Sequence, residues 1–268
     1  MEERDIILIS TKFTYNGITS DSMGVYLVRT SSGIITRPYV PARTVREDYP
    51  SQAQQPYFFG TQINAFTISL TFSTLDNTMT DSKLKTLASW LFQNDYKPFI
   101  SDDNPNVIHY LMQIGEVKFE TNGNREGYFT AEFRSKFPFA LTTEATPTYN
   151  LTNNNTTTTI TLNNESNVYE HYNPTYRFVV SSTPTSTATP TLLIKNLLDN
   201  NREQAFYSLN IGETLFVDNN KCLILSSTGE YRYGNMTGNW LRLIQGNNSL
   251  QITGKGTLTF TTQFPIFT

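Results

Sequence analysis

Apolar and polar positions alternate most cleanly in "AFTISLTFS", with Phe66, Ile68, Leu70 and Phe72 on one side and Thr67, Ser69, Thr71 and Ser73 on the other. A period of two over that length predicts a half-buried strand. "YFTAEFRSKFPFA" repeats the pattern, setting Phe129, Ala131 and Phe133 against Thr130, Glu132 and Arg134. Between them, "TDSKLKTLASWLFQNDY" changes period. Leu84, Leu87, Ala88 and Leu91 recur at helical spacing, Trp90 and Phe92 widen the stripe, and Thr80 or Asp81 supplies a cap. One helix is predicted over about 81–93. Asn16-Gly17 lies between the β-prone runs Lys12–Tyr15 and Val25–Val28 and signals a hairpin, because such turns favour residues tolerant of positive φ. Pro38, Pro41, Pro50 and Pro56 interrupt "TRPYVPARTVREDYPSQAQQPYFFG". Proline cannot donate to a ladder, so this stretch reads as an extended excursion or an edge hairpin.

From about Thr158 the chain carries only strand signals: "TYRFVVS", "PTLLIKN", "QAFYSLN", "ETLFVDNNKCLILSS", "WLRLIQ", "SLQIT" and "TLTFTTQF". Asp218-Asn219-Asn220, Gly246-Asn247-Asn248 and Gly254-Lys255-Gly256 read as the turns between them. Seven or so short strands at this spacing predict a β-sandwich. The Asn/Thr-rich stretch beginning at Asn150 divides in two. Residues 143–157 have no apolar period and read as a linker. In "TTTTITLNNESN", β-branched residues predict an edge strand that opens the sandwich, followed by an Asn-rich turn. The expected organisation is a mainly β chain. A β-rich domain of split-barrel or sandwich type with one helix spans 1–142, the linker 143–157, and a β-sandwich 158–268.

Composition narrows the function classes. Charged residues are 16% and aromatics 13% of 268 residues, which suits polar faces of hydroxyl and amide rather than ionic groups. The net charge of −3 and the scattered 20 basic residues give no electrostatic case for binding nucleic acid. The acidic start has too short an apolar run for a signal peptide, and no apolar run is long enough to span a bilayer; synthesis in a cytoplasm without membrane insertion is expected. Asn150, Asn154, Asn155 and Asn164 match the N-x-Ser/Thr pattern, as Asn/Thr-rich composition produces by chance.

Candidate chemistry is thin. Cys222 stands alone and reads as a buried strand residue, and His109 and His171 lack partners at metal-ligand spacing. "SDDNPN", with Asp102 and Asp103, lacks the spaced ligands of a calcium loop and reads as a proline turn. "ITGKGT" lacks the upstream Gly and the following Ser/Thr and helix of a phosphate loop, and reads as a hairpin turn. No nucleophile elbow is present. No enzyme, cofactor or metal site is expected. Tyr231, Tyr233 and Trp240, close to Gly and Asn in "GEYRYGNMTGNW", are candidates for stacking on sugar rings, against the plainer reading of a core Trp and surface tyrosines.

The ordered phrases resemble the distal tail protein (Dit) family of long, non-contractile-tailed bacteriophages. They are "FTYNGITSDSMGVYLV", "WLFQNDYKPFISDD", "GYFTAEFRSKFPFA", "NPTYRFVV", "IGETLFVDNNK" and "NWLRLIQGNNSLQITGKGTLTF". Each is strand-and-turn grammar; their order and spacing carry the resemblance. It implies a structural, non-enzymatic virion protein at the tail tip, with a ring-forming N-terminal domain and a galectin-like or carbohydrate-binding-module-like C-terminal sandwich. Its implied partners are further copies in a hexameric ring, single or two back to back, the tail-tube protein, and a tail lysin, fibre or receptor-binding protein. DNA would only pass through the lumen. A ring needs a heterologous interface, so an extended edge must reach a neighbour. The Pro-interrupted stretch is the candidate, with Arg43 and Arg46 as charges and Tyr57, Phe58 and Phe59 as anchors, against the alternative that those aromatics are core. The alternative function is a carbohydrate-binding β-sandwich protein that engages host surface glycans.

Overall fold

The computed structural model describes residues 11–28, 42–50, 55–74, 80–121 and 127–267. It is mainly β with one α-helix among these residues, and it forms two compact units that divide between Leu141 and Thr142.

The first unit is an antiparallel sheet. Its strands lie in the order Ile18–Thr19, Phe13–Tyr15, Lys97–Ser101, Val107–Thr121, Gly127–Ser135, Thr67–Thr74 and Val25–Leu27. The two alternating segments pair with each other, Phe72 opposite Phe129 and Ile68 opposite Phe133, so their apolar sides face one core. Phe72 and Phe129 stack at 4.8 Å, and Phe13 lies 5.4 Å from Phe72 and 5.2 Å from Phe99. Asn16 and Gly17, both at positive φ, close a two-residue turn with Tyr15 opposite Ile18. The hairpin partner of Phe13–Tyr15 is therefore Ile18–Thr19; Val25–Leu27 pairs instead with Thr67–Thr74.

The helix runs Asp81–Leu91, capped by the Thr80 hydroxyl, which accepts a bond from the Lys83 amide. Leu87, Trp90 and Leu91 are buried, and the Trp90 indole donates to the Tyr15 carbonyl at 3.0 Å. The apolar stripe is narrower than expected. Ala88 is exposed, and Phe92, at the C-cap, is 71% exposed because the helix has already ended.

The second unit is organised about one long strand, Gly246–Thr261. Along one side it pairs with Thr148–Asn164. Along the other, its first half pairs with Leu192–Asn196 and its second half with Thr175–Ser182. The latter continues to Thr214–Asp218 and Leu223–Ser226, the former to Arg202–Phe206 and Met236–Gly238. The two branches share one core that includes Phe178, Ile194, Leu215, Ile252, Leu258 and Phe260.

Three expectations change here. Residues 143–157 are not a free linker: the strand begins at Thr148, and Ala145 is already bridged to Thr262 through both backbone bonds. Gly246-Asn247-Asn248 is not a turn but the start of the long strand, opposite Leu162–Asn164. Gly254-Lys255-Gly256 is not a turn either. It lies inside the strand, where the pairing partner changes from one branch to the other. A Cβ on Gly256 would sit 2.1 Å from the Val179 carbonyl oxygen, and one on Gly254 2.9 Å from that of Thr191. The glycines permit backbone approach at a sheet corner.

Candidate functional site

Among the described residues, Arg43–Asp48 and Tyr57–Ile63 pair only with each other. Every residue of the first strand is exposed, and so are Tyr57, Phe58 and Phe59 at 61%, 66% and 69%. The sequence alternative of core aromatics does not hold. Arg46 faces Gly60 and Glu47 faces Phe58, so Phe59 is an unopposed bulge residue, and Gly60 takes a positive φ to allow it. Val45 and Tyr49 extend the apolar surface, Arg46 donates to the Gln62 side-chain carbonyl, and Tyr49 donates to Glu47 at 2.9 Å. Arg43, Arg46, Tyr57, Phe58 and Phe59 are thus brought together on one hairpin. Pro38 and Pro41 lie outside the described residues.

Sequence reading missed a second exposed arm. Val107–Thr121 and Gly127–Ser135 pair regularly up to Ile114, shift register there, and resume at Lys118. Gly115 takes φ +67 at the shift, and every residue beyond it to Thr121 is exposed, including Val117 and Phe119. The signal was Gly115 breaking an otherwise alternating run.

In the second unit Tyr231, Tyr233 and Trp240 form a chain, with rings 5.1 and 6.5 Å apart. Tyr231 is 78% exposed, while Tyr233 and Trp240 are part-buried, and the ring planes are inclined at 32° and 66° along the chain. The Tyr233 hydroxyl accepts from the Ile224 amide and donates to the Cys222 carbonyl, and Trp240 packs on the core. Arg232 anchors this stretch from beneath: it is buried and makes two bonds to buried Glu213, at 2.8 and 2.6 Å. Burial pushes the Glu213 carboxyl up, but the bonds from Arg232, Asn210 and Ser226 outweigh it and leave it below the ordinary carboxylate range. A flat sugar-stacking platform is not what the three rings make.

Other sequence candidates resolve as scaffold. His109 is buried with Nδ1 unbonded and Phe66 edge-on at 6.1 Å; burial lowers its pKa to about 4. His171 pairs with Ile244 in a two-residue strand. Cys222 is exposed at positive φ in a turn, not a buried strand residue. Ser101 donates to Asp103, and Asn104 donates to the Ser101 carbonyl, closing the proline turn. Among the described residues no group of three His, Cys, Asp or Glu could hold a metal ion, and no helix is long and apolar enough to cross a membrane.

Residues 8–136 match a family model described as a phage tail protein N-terminal domain, and residues 139–262 one described as a phage tail C-terminal domain. The SPbeta prophage-derived protein YomH of Bacillus subtilis (strain 168) is 25% identical over 247 residues, covering 92% of this chain and 94% of YomH. The crystal structure of SPP1 Dit, titled a paradigm of the hub adsorption apparatus in phages infecting Gram-positive bacteria, covers 94% of this chain and 98% of its own. Its TM-score is 0.63 at 16% identity. A chain of the phage P2 baseplate aligns over 90% of both chains at TM-score 0.45 and 10% identity.

Proposed function

The chain belongs to the phage tail proteins and has the Dit fold, and we propose that it is the tail-tip hub, its protomers closing into a hexameric ring between the tail tube and the fibre, lysin or receptor-binding proteins beyond it. The observation that carries the reading is the Arg43–Ile63 hairpin. A two-stranded ribbon with both strands open to solvent and three adjacent exposed aromatics has no core of its own. Its burial has to come from another surface, and head-to-tail closure of identical protomers supplies one at every position. Phe58 and Phe59 are the anchors, and Arg43 and Arg46 set the charge that a neighbour must complement.

Reversing the charges at Arg43 and Arg46 together with Phe58→Ala is expected to shift the assembly toward monomers, read as solution mass by light scattering. An assembly mass unchanged in that variant would remove the hairpin from the interface. The role is structural, with the tail tip of the virion as its place.

A further inference from the structure

The turn joining Leu192–Asn196 to Arg202–Phe206 and the segment around Asn239 border an open cavity of about 450 Å³. Asn200 and Asn201 both take positive φ while the Arg202 amide donates to the Asp199 carbonyl, a turn that asparagine tolerates on backbone grounds. That accounts for the residue type. It does not account for the side chains: the amides of Asn200, Asn201 and Asn239 line the cavity and make no hydrogen bond to the protein.

Two guanidinium groups form the inner wall. Arg242 binds both oxygens of buried Asp199 through Nε and Nη2, at 2.7 and 2.9 Å, leaving Nη1. Arg202 donates through Nε to the Trp240 carbonyl at 2.7 Å and approaches Asp199 at 4.0 Å; its two Nη groups have no protein acceptor. Two cations thus share one buried carboxylate, and Arg242 takes one bond to each of its oxygens. Glu203, the other acid of the lining, is half-exposed and lies 3.9 Å from Lys195. Over the lining as a whole Asp199 and Glu203 balance Arg202 and Arg242 in charge, but the two guanidinium groups hold unused N–H donors on the inner wall, and the asparagines carry amides that both donate and accept.

We propose that this cleft binds a saccharide carrying an oxyanion, with its carboxylate or phosphate on the free Nη groups of Arg202 and Arg242 and its hydroxyls on Asn200, Asn201 and Asn239. A purely structural role for the cluster uses the Asp199–Arg242 pair and the Arg202–Trp240 bond and does not call on the remaining donors, which face the open cavity. No aromatic ring lines the cleft, so recognition rests on hydrogen bonds and charge. The site lies entirely in the second unit and stands or falls independently of ring formation.

The test is calorimetric titration of the full chain with glucuronate, glucose 6-phosphate and glucose. At least one acidic sugar is expected to bind ten times more tightly than glucose. Binding of glucuronate alone assigns the oxyanion as carboxylate, of glucose 6-phosphate alone as phosphate, and of both as either. Arg202→Gln is expected to lower that affinity tenfold or more. Asn239→Ala removes an exposed amide with no internal bond; it is expected to weaken binding severalfold with the melting temperature unchanged, and it decides the matter if Arg202→Gln does not fold. Acidic sugars binding no better than glucose, or binding that Asn239→Ala leaves intact, would overturn the site. Inorganic phosphate binding as tightly as glucose 6-phosphate would overturn the saccharide assignment.

Discussion

Arg232 is flanked by Tyr231 and Tyr233 in a run that reads as a surface loop, yet it is buried against Glu213, nineteen positions away. Nothing in local pattern specifies that partner, because a buried ion pair is a tertiary arrangement. Its energetics are asymmetric. Arg232→Met should leave Glu213 buried and charged and cost about 3–5 kcal/mol in urea unfolding, while adding Glu213→Met should recover much of that loss. His109 makes a second prediction. Its folded pKa of about 4 lies below the ordinary 6.5, so between those values the unfolded chain binds a proton that the folded chain refuses. Stability should fall as pH drops from about 6.5 to about 4, by up to about 3 kcal/mol, and level off below. His109→Phe should flatten that part of the curve in denaturant titrations taken across pH. A slope that survives the substitution would assign the pH dependence elsewhere.

The elements divide according to how local their causes are. Phe129, Ala131 and Phe133 were legible because a period of two and one buried face need no distant information, and all three are buried. The Asn/Thr-rich strand was not, for a reason its pairing makes plain. Leu151, Ile160 and Leu162 all face the core, but between Asn153 and Thr157 the strand carries three residues opposite none. An odd insertion flips the side on which residues point, so no single period joins Leu151 to Ile160. That bulge lies opposite Gly254, so both irregularities belong to the same sheet corner. Glycine in "GKG" was mistaken for turn chemistry because a close backbone approach and a turn ask for the same residue. Gly256→Ala should therefore destabilise the second unit by about 3 kcal/mol, measured by thermal unfolding, since its Cβ would meet the Val179 carbonyl. Hydrogen exchange should find the Thr148–Asn153 amides that face Gly254–Thr259 protected; rapid exchange throughout 148–157 would restore the linker reading of that segment.

For the whole molecule, the resemblance read from ordered phrases and the match to two phage tail domain models agree on the family, and the fold agrees with that of SPP1 Dit. What an isolated sequence withheld was the exposed surface. Tyr57, Phe58 and Phe59 have the composition of a core segment, and only the absence, among the described residues, of any strand or helix packed over the hairpin turns them into candidates for contact with another copy. The Gly115 arm adds a second such surface, with Val117 and Phe119 outward. Both arms present exposed apolar groups, the kind of surface that the proposed ring would need to cover. The most direct test is negative-stain electron microscopy of the purified full chain. Rings of six-fold symmetry, single or stacked back to back, are the predicted result; isolated protomers at every concentration, or closed rings of another symmetry, would contradict the hub assignment.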